Sequence, residues 1–223
     1  MKKEYLFNAI AIFISIVGSF GVERLIEYRK EQNEIKILET NLLHELEQNY
    51  YSLLSLRGVL NSVIDVSDSI TANWNSISSI KVKIFHSNSL YDKNERIELI
   101  LSNSYGLTSR NMYLNSLINS GLILKIKSSA IRNQIESVNL LVSGNYLQSN
   151  EVIRNNIKDW FVKYSKKEES LNNELIFDKH KDFELYQFLT LRRRNEVYKL
   201  SGVNGNIKFL EEIINEIKAN GLF

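Results

Sequence analysis

The chain has 223 residues, with 28 Lys and Arg against 26 Asp and Glu and a formal net charge of +2, so it carries no field of one sign strong enough to draw nucleic acid or an acidic partner. It has no cysteine, which excludes disulfides, thiolate metal sites and cysteine nucleophiles together. It has no proline either, and without the main helix breaker long uninterrupted helices are permitted.

In chain order, the first element is the run Tyr5 to Val22, YLFNAIAIFISIVGSFGV, which has no charged side chain. As a helix it rises about 27 Å, close to the roughly 30 Å hydrocarbon thickness of a bilayer. A cleaved signal peptide has the same basic start and apolar core, and Val17-Gly18-Ser19 loosely imitates its cleavage site. An uncleaved anchor is favoured because Val22-Glu23-Arg24-Leu25-Ile26 continues at helical spacing with no proline or polar break. Ala11, Ser15 and Ser19 recur every fourth residue, a stripe of small side chains that would let two spans approach and self-associate. Residues 1–27 are therefore expected to be a membrane anchor, 28–34 a polar helical neck, and 35–223 one α-helical bundle domain. Lys2 and Lys3 favour a cytoplasmic N-terminus while Arg24, Arg29 and Lys30 oppose it. The short basic tail and the lack of cysteine favour a single pass through the cell inner membrane with the body outside the cytoplasm.

From Arg24 to about Ile70 apolar residues recur at steps of three and four, among them Ile35, Leu42, Leu46, Leu53, Leu56, Leu60 and Val63. Leu43, Leu54, Val59 and Ile64 widen the stripe beyond a coiled-coil seam, which reads as a bundle helix. Ile80 to Phe85, IKVKIF, alternates as a strand would, with an irregular connector as the alternative. Short helices follow from Lys93 to Ser102 and from Ser109 to Ser120, the second with Met112, Leu114, Leu117 and Ile118 inward. Gly121 stands where a helix ends in a left-handed residue, and LILKIK is expected to cross in extended form, with Leu122, Leu124 and Ile126 plugging the core. Ser128 or Ser129 then caps a helix from about Ala130 to Val142 whose inward face is Ile131, Ile135, Val138 and Leu141 or Val142. Asn150 to about Leu175 and Lys181 to Leu200 are further helices, the latter facing in with Phe183, Tyr186, Leu189 and Val197. A Val203-Asn204-Gly205-Asn206 turn starts a last helix that Gly221 ends. The fold class is all-α: an N-terminal transmembrane helix continuing into a long helix, followed by an antiparallel helical bundle.

Chemistry-bearing motifs are sparse. His44, His86 and His180 have no His or Cys at ligand spacing, and neither a glycine-rich phosphate loop nor Gly-x-Ser-x-Gly occurs. Glu45 with Glu47, Glu168 with Glu169, and Glu211 with Glu212 read as solvated helix faces, so no catalytic, cofactor-binding or metal-binding residue is assigned. In Arg192-Arg193-Arg194 the assumed helical register brings Arg193 onto the apolar stripe. It is expected to be at least half buried beside Glu45, Glu136 or Glu212, as an ion-pair or anion site, with Arg192 and Arg194 more exposed.

Two segments carry a family likeness: AIAIFISIVGSFGVERLIEYRKEQNEIKILETNLLHELEQNYYSL, and MYLNSLINSGLILKIKSSAIRNQIESV with its Leu-x-x-Ser-Gly, hydrophobic-Lys and hydrophobic-Arg pattern. In these the chain resembles an uncharacterised family of small bacterial single-pass membrane proteins, departing from it in having Leu25-Ile26-Glu27 where a Trp-Asn pair would stand. The resemblance implies an anchor and a helical body and brings no site residues. The expected function is a membrane-anchored helical interaction or scaffold module, whose partners are the membrane and another protein or a second copy, with no nucleic acid. The alternative is a membrane-tethered enzyme or toxic effector whose site the sequence does not reveal.

Overall fold

The computed structural model describes residues 2–90, 95–107, 109–142 and 151–222, with side chains described from residue 11 on and, in the fifth helix, up to residue 137. Every regular element among them is helical. α1 runs unbroken from Lys2 to Ala72, 71 residues, about 107 Å at 1.5 Å per residue. From Ala11 to Glu34 it is exposed, and packing begins at Ile35. α8 (Phe183–Asn220) returns beside it. The antiparallel register is fixed by the Leu222 N–H donating to the Glu39 carboxylate at 2.7 Å, by Lys218 with Glu47 at 2.7 Å, and by Arg193 with Asp68. Short helices fill the grooves of this pair: α2 (Ser79–Leu90), α3 (Ile97–Ser102), α4 (Met112–Asn119), α5 (Ser129–Val142), α6 (Glu151–Glu168) and α7 (Asn173–His180).

Two apolar cores lie one above the other along α1. The one nearer the exposed segment joins Leu42, Leu46, Leu53, Leu56 and Leu60 of α1 to Val203, Leu210, Ile213 and Ile217 of α8, with α4 and α5 packed on them. The far core joins Val66 and Ile70 to Leu185 and Leu189, with Trp160 and Phe161 of α6 and Phe177 of α7 at its centre. Between the cores α8 turns charged residues inward: Arg192, Glu196 and Lys199 are all buried.

The expected transmembrane span is not shown, and several other expectations are corrected. Among the described residues no helix is long and apolar enough to cross a membrane. Glu23 closes the uncharged run of the expected span, and Tyr5 to Ile10 of that span lie outside the described side chains. Ile80 to Phe85 is helical, because burial falls at Ser79, Val82 and His86. Asp178 of α7 caps that helix, accepting from the Ser79 N–H at 2.6 Å and its hydroxyl at 2.7 Å. Gly121 is left-handed as expected, with φ 73°, but Leu122–Lys125 is a 3-10 turn, not an extended crossing. Its three-residue period points Ile123 and Ile126 inward and leaves Leu124 70% exposed. Met112 likewise faces solvent. The predicted helix from Asn150 is two, broken at Glu169, whose φ of 51° ends α6 before Asn172 caps α7. Ser128 caps α5 through the Ile131 N–H at 3.2 Å, and Ile131 and Ile135 are buried; Val138, Leu141 and Val142 lie outside the described side chains, as do residues 91–94 at the expected start of the third helix.

The Val203–Asn206 turn does not form. α8 passes through it, with Val203, Asn206 and Ile207 buried; a continuous stripe packed on α1 overrides the turn preference of Asn-Gly. Nothing lies within 4 Å of where a Gly205 Cβ would stand. Gly205→Ala is therefore expected to raise unfolding free energy by about 1 kcal/mol, the helix-propensity difference, in urea titrations. A left-handed turn at this residue would make the same substitution destabilising.

Candidate functional site

The buried charges converge on one element, the connector between α3 in the far core and α4 in the near core, whose described residues, 103–107 and 109–111, are non-helical. A helix end leaves backbone groups without partners, carbonyls at the C-terminus and N–H groups at the N-terminus, and opposite charges suit them. Arg192 meets the end of α3: Nη1 donates to the Ile100 and Leu101 carbonyls, both at 2.8 Å, and Nη2 to Asn103 at 2.7 Å. Lys199, two turns along, donates to the Tyr105 carbonyl at 2.9 Å. From the other side, the Asn49 amide brackets the Arg110 backbone, donating to its carbonyl at 2.7 Å and accepting its N–H at 2.9 Å. Glu45 closes the series by capping α4, its two oxygens accepting the N–H groups of Tyr113 at 2.9 Å and Leu114 at 3.0 Å.

Glu196 lies between Arg192 and Lys199, 3.4 Å from the Lys199 ammonium. Burial lowers the Arg192 and Lys199 pKa values, and the Glu196 charge works against that. Burial also raises the Tyr105 phenol, reinforced by Glu95. Glu95 holds His86 at 2.6 Å and accepts from the Asn103 amide, which extends the cluster to α2.

This arrangement corrects the arginine register by one residue. Arg192, expected to be exposed, is the buried member, while Arg193, its side chain 42% exposed, is more than half covered and meets a carboxylate of another helix as expected, held bidentately by Asp68 of α1. None of the three acids named for it is its partner. Glu45 is also corrected: its neighbour Glu47 keeps 30% of its side chain exposed, but Glu45 itself is 5% exposed.

At the far end, Glu168 bonds Lys179 and, at 2.7 Å, His180, whose ring stacks on Tyr164. His180 is thus an ordered partner and not a solvated one, and the hydrogen bonds from Lys179 and His180 lower the Glu168 pKa. Asp182 caps α8 through the Leu185 N–H at 3.0 Å and accepts from the Trp160 indole at 3.0 Å and the Tyr164 hydroxyl at 2.7 Å. Burial alone would raise its pKa, but these three donors outweigh it and the net shift is downward.

Two surface concavities accompany these clusters. One, of about 500 Å³, is bordered by His44, Gln48, Arg110, Met112 and Tyr113. There Gln48 accepts from the Arg110 guanidinium at 2.6 Å while its amide nitrogen lies 2.6 Å from His44 Nε2. The other, of about 400 Å³, is an aromatic notch of Trp74, Phe183 and Tyr186 at the α1–α2 turn. Among the described residues no three His, Asp or Glu side chains are grouped to hold a metal ion. Ala11, Ser15 and Ser19 are exposed on α1, and the Ser15 hydroxyl donates to the Ala11 carbonyl at 2.8 Å; Ser15 and Ser19 border, with Gly18 and Val22, an open hollow on that face. No family model matches the chain, and neither does any curated protein or solved structure.

Arg192→Ala is expected to lower stability by about 3–5 kcal/mol, because it uncovers three carbonyls and leaves Glu196 short of a buried counter-charge. Arg193→Ala, which removes a partly solvated pair, is expected to change it little. Urea titrations of the two variants test the register directly, and equal losses would contradict it. For Asp182 the folded pKa is below the unfolded one, so its contribution is present above the unfolded value, near pH 4, and is lost as pH falls through the folded value. Asp182→Asn is accordingly expected to lose more stability near pH 7 than in acid, so that its stability varies less with pH on the acid side than that of the wild type.

Proposed function

We propose that the protein is a membrane-tethered helical module that holds or presents a protein partner and performs no catalysis of its own. The observation that carries this reading is the segment of α1 outside the bundle. Ile12, Phe13, Ile14, Ile16, Val17, Phe20, Val22, Leu25 and Ile26 are each at least half exposed, and successive helical residues point about 100° apart, so the helix is apolar on all sides. A helix apolar all round belongs in a protein core or a bilayer, and among the described residues no element of the bundle covers this one. With the uncharged Tyr5 to Ile10 before it, the run attains the length of a single pass. The expected placement, in the inner membrane with the body outside the cytoplasm, is part of this proposal, as is the likeness to small single-pass bacterial membrane proteins.

The non-catalytic half of the reading is supported by what the buried charges do. Arg192, Lys199 and Glu45 each meet a backbone end of the connector, which accounts for their burial without a substrate. A second copy bound along Ala11, Ser15 and Ser19 is one partner consistent with the small-residue face.

Fractionation tests the tether. The full-length chain is expected to sediment with membranes through high-salt and alkaline washes and to need detergent for release, and residues 28–223 to remain in the aqueous supernatant. A full-length chain recovered in the supernatant without detergent contradicts the reading.

A further inference from the structure

The Gly121-Leu122-Ile123-Leu124-Lys125-Ile126-Lys127 corner between α4 and α5 has a feature the bundle does not use. Ile123 and Ile126 close the near core, yet Leu124 is 70% exposed, followed by Lys125 and Lys127. Three side-chain contacts tie the corner in this pose: Arg132 Nη2 donates to the carbonyls of Leu124 at 3.3 Å and Ile126 at 2.9 Å, and Lys125 pairs with Glu31 of α1. That pair fixes its height. α4 starts level with Glu45, and the corner touches α1 fourteen residues earlier in the sequence, roughly 21 Å nearer the apolar segment. The C-terminal contact of the body, at Glu39, is higher.

We infer that this corner seats on the lipid surface, with Leu124 inserted among the headgroups and the Lys125 and Lys127 stems beside it. The inference rests on the membrane tether proposed above. Ile26 and Tyr28 are exposed on α1, and a tyrosine six residues, about 9 Å, past the end of the uncharged run suits the headgroup level. Glu31 is three residues, about 4.5 Å, beyond Tyr28. Spanning helices tilt by about 20° on average. For an element packed about 10 Å off the α1 axis, a tilt toward the corner lowers it by a further 3 Å or so, which brings a leucine side chain within reach. Lys125 keeps its ammonium on Glu31, and the stems of Lys125 and Lys127 offer apolar length beside the leucine at the acyl boundary. Seating the corner selects one direction of tilt, and so fixes how the bundle leans over the membrane.

The absence of native cysteine permits single-site labelling of the full chain in phosphatidylcholine bilayers containing a minority of phosphatidylglycerol. An environment-sensitive dye is placed at Leu124→Cys, at Phe20→Cys in the apolar segment, and at Leu171→Cys, 93% exposed at the far end. Lipids spin-labelled at the headgroup are the quencher. The dye at 124 is expected to lose at least half of its emission, while that at 171 is unaffected. If lipids labelled deep in the acyl chain quench position 20 but the dye at 124 behaves like that at 171, the seating is wrong and the tether stands. If none of the three is quenched by either lipid, the tether fails and the seating with it. Thermal melts of the labelled chains followed by circular dichroism show whether the fold is kept, and Leu124→Asp, unlabelled, is expected to loosen bundle orientation without lowering the melting temperature.

Discussion

Everything in the body depends on α1 remaining one helix from the apolar segment to the far core. A helix buries only a stripe of its surface, and α1 finds its principal cover in α8, laid antiparallel along it. That pairing fixes the rest. The short helices α2 to α7 have to fill grooves of a scaffold already set, and where the chain between α3 and α4 passes from one core to the other it has no ladder of its own to satisfy its backbone. The unpaired groups left at such ends cost on the order of 1–3 kcal/mol each when buried. Arg192, Lys199, Asn49 and Glu45, all projecting from the two long helices, meet them. Isolated buried charge is costly, and its presence between the cores is intelligible because each group faces a backbone end whose partial charge opposes its own or, for Glu196, two neighbouring cations.

How much of this was legible in the sequence follows from the range of the interactions. The leucine stripe of α1, the left-handed Gly121 and the Ser128 cap depend on neighbours a few residues away, and the sequence shows them. The pairings of Glu45 with Tyr113 and of Arg192 with Ile100 span 68 and 92 residues, and local pattern carries no trace of them. The α8 register failed for a specific reason. Its inward positions run Leu185, Leu189, Arg192, Glu196, Lys199 and Val203, so three charged residues interrupt the apolar period, and Phe183 and Val197, which are exposed, offer a more continuous stripe one residue out of phase. The misreading of Ile80–Phe85 is similar: the alternation is real, but the cap from Asp178 and the burial of Val82 and His86 are decided by α7 and the far core.

The candidate site was less legible than the fold. Nothing local distinguishes Glu45 from Glu47, although one is capping a helix inside the protein and the other is on the rim. A signal existed only in combination: acidic and basic residues at inward helical positions on the two longest helices, facing a proline-free stretch too irregular to be a helix. Their distribution here along one connector fits a role in holding backbone.

For the tethered module proposed above, the property that matters is mechanical. If the apolar segment and the body share one helix, the direction of the first sets the pose of the second, and surfaces such as the His44–Gln48–Arg110 cleft and the Trp74–Phe183–Tyr186 notch are held at defined heights. The most direct test is a spin-label distance along α1 between Ile26→Cys and Asn61→Cys, one outside the bundle and one within it, in lipid nanodiscs. An unbroken helix predicts a single narrow distribution centred at about 52 Å, from 35 residues at 1.5 Å each. A markedly shorter or broad distribution would mean that α1 bends or frays between the two segments, and would contradict the account.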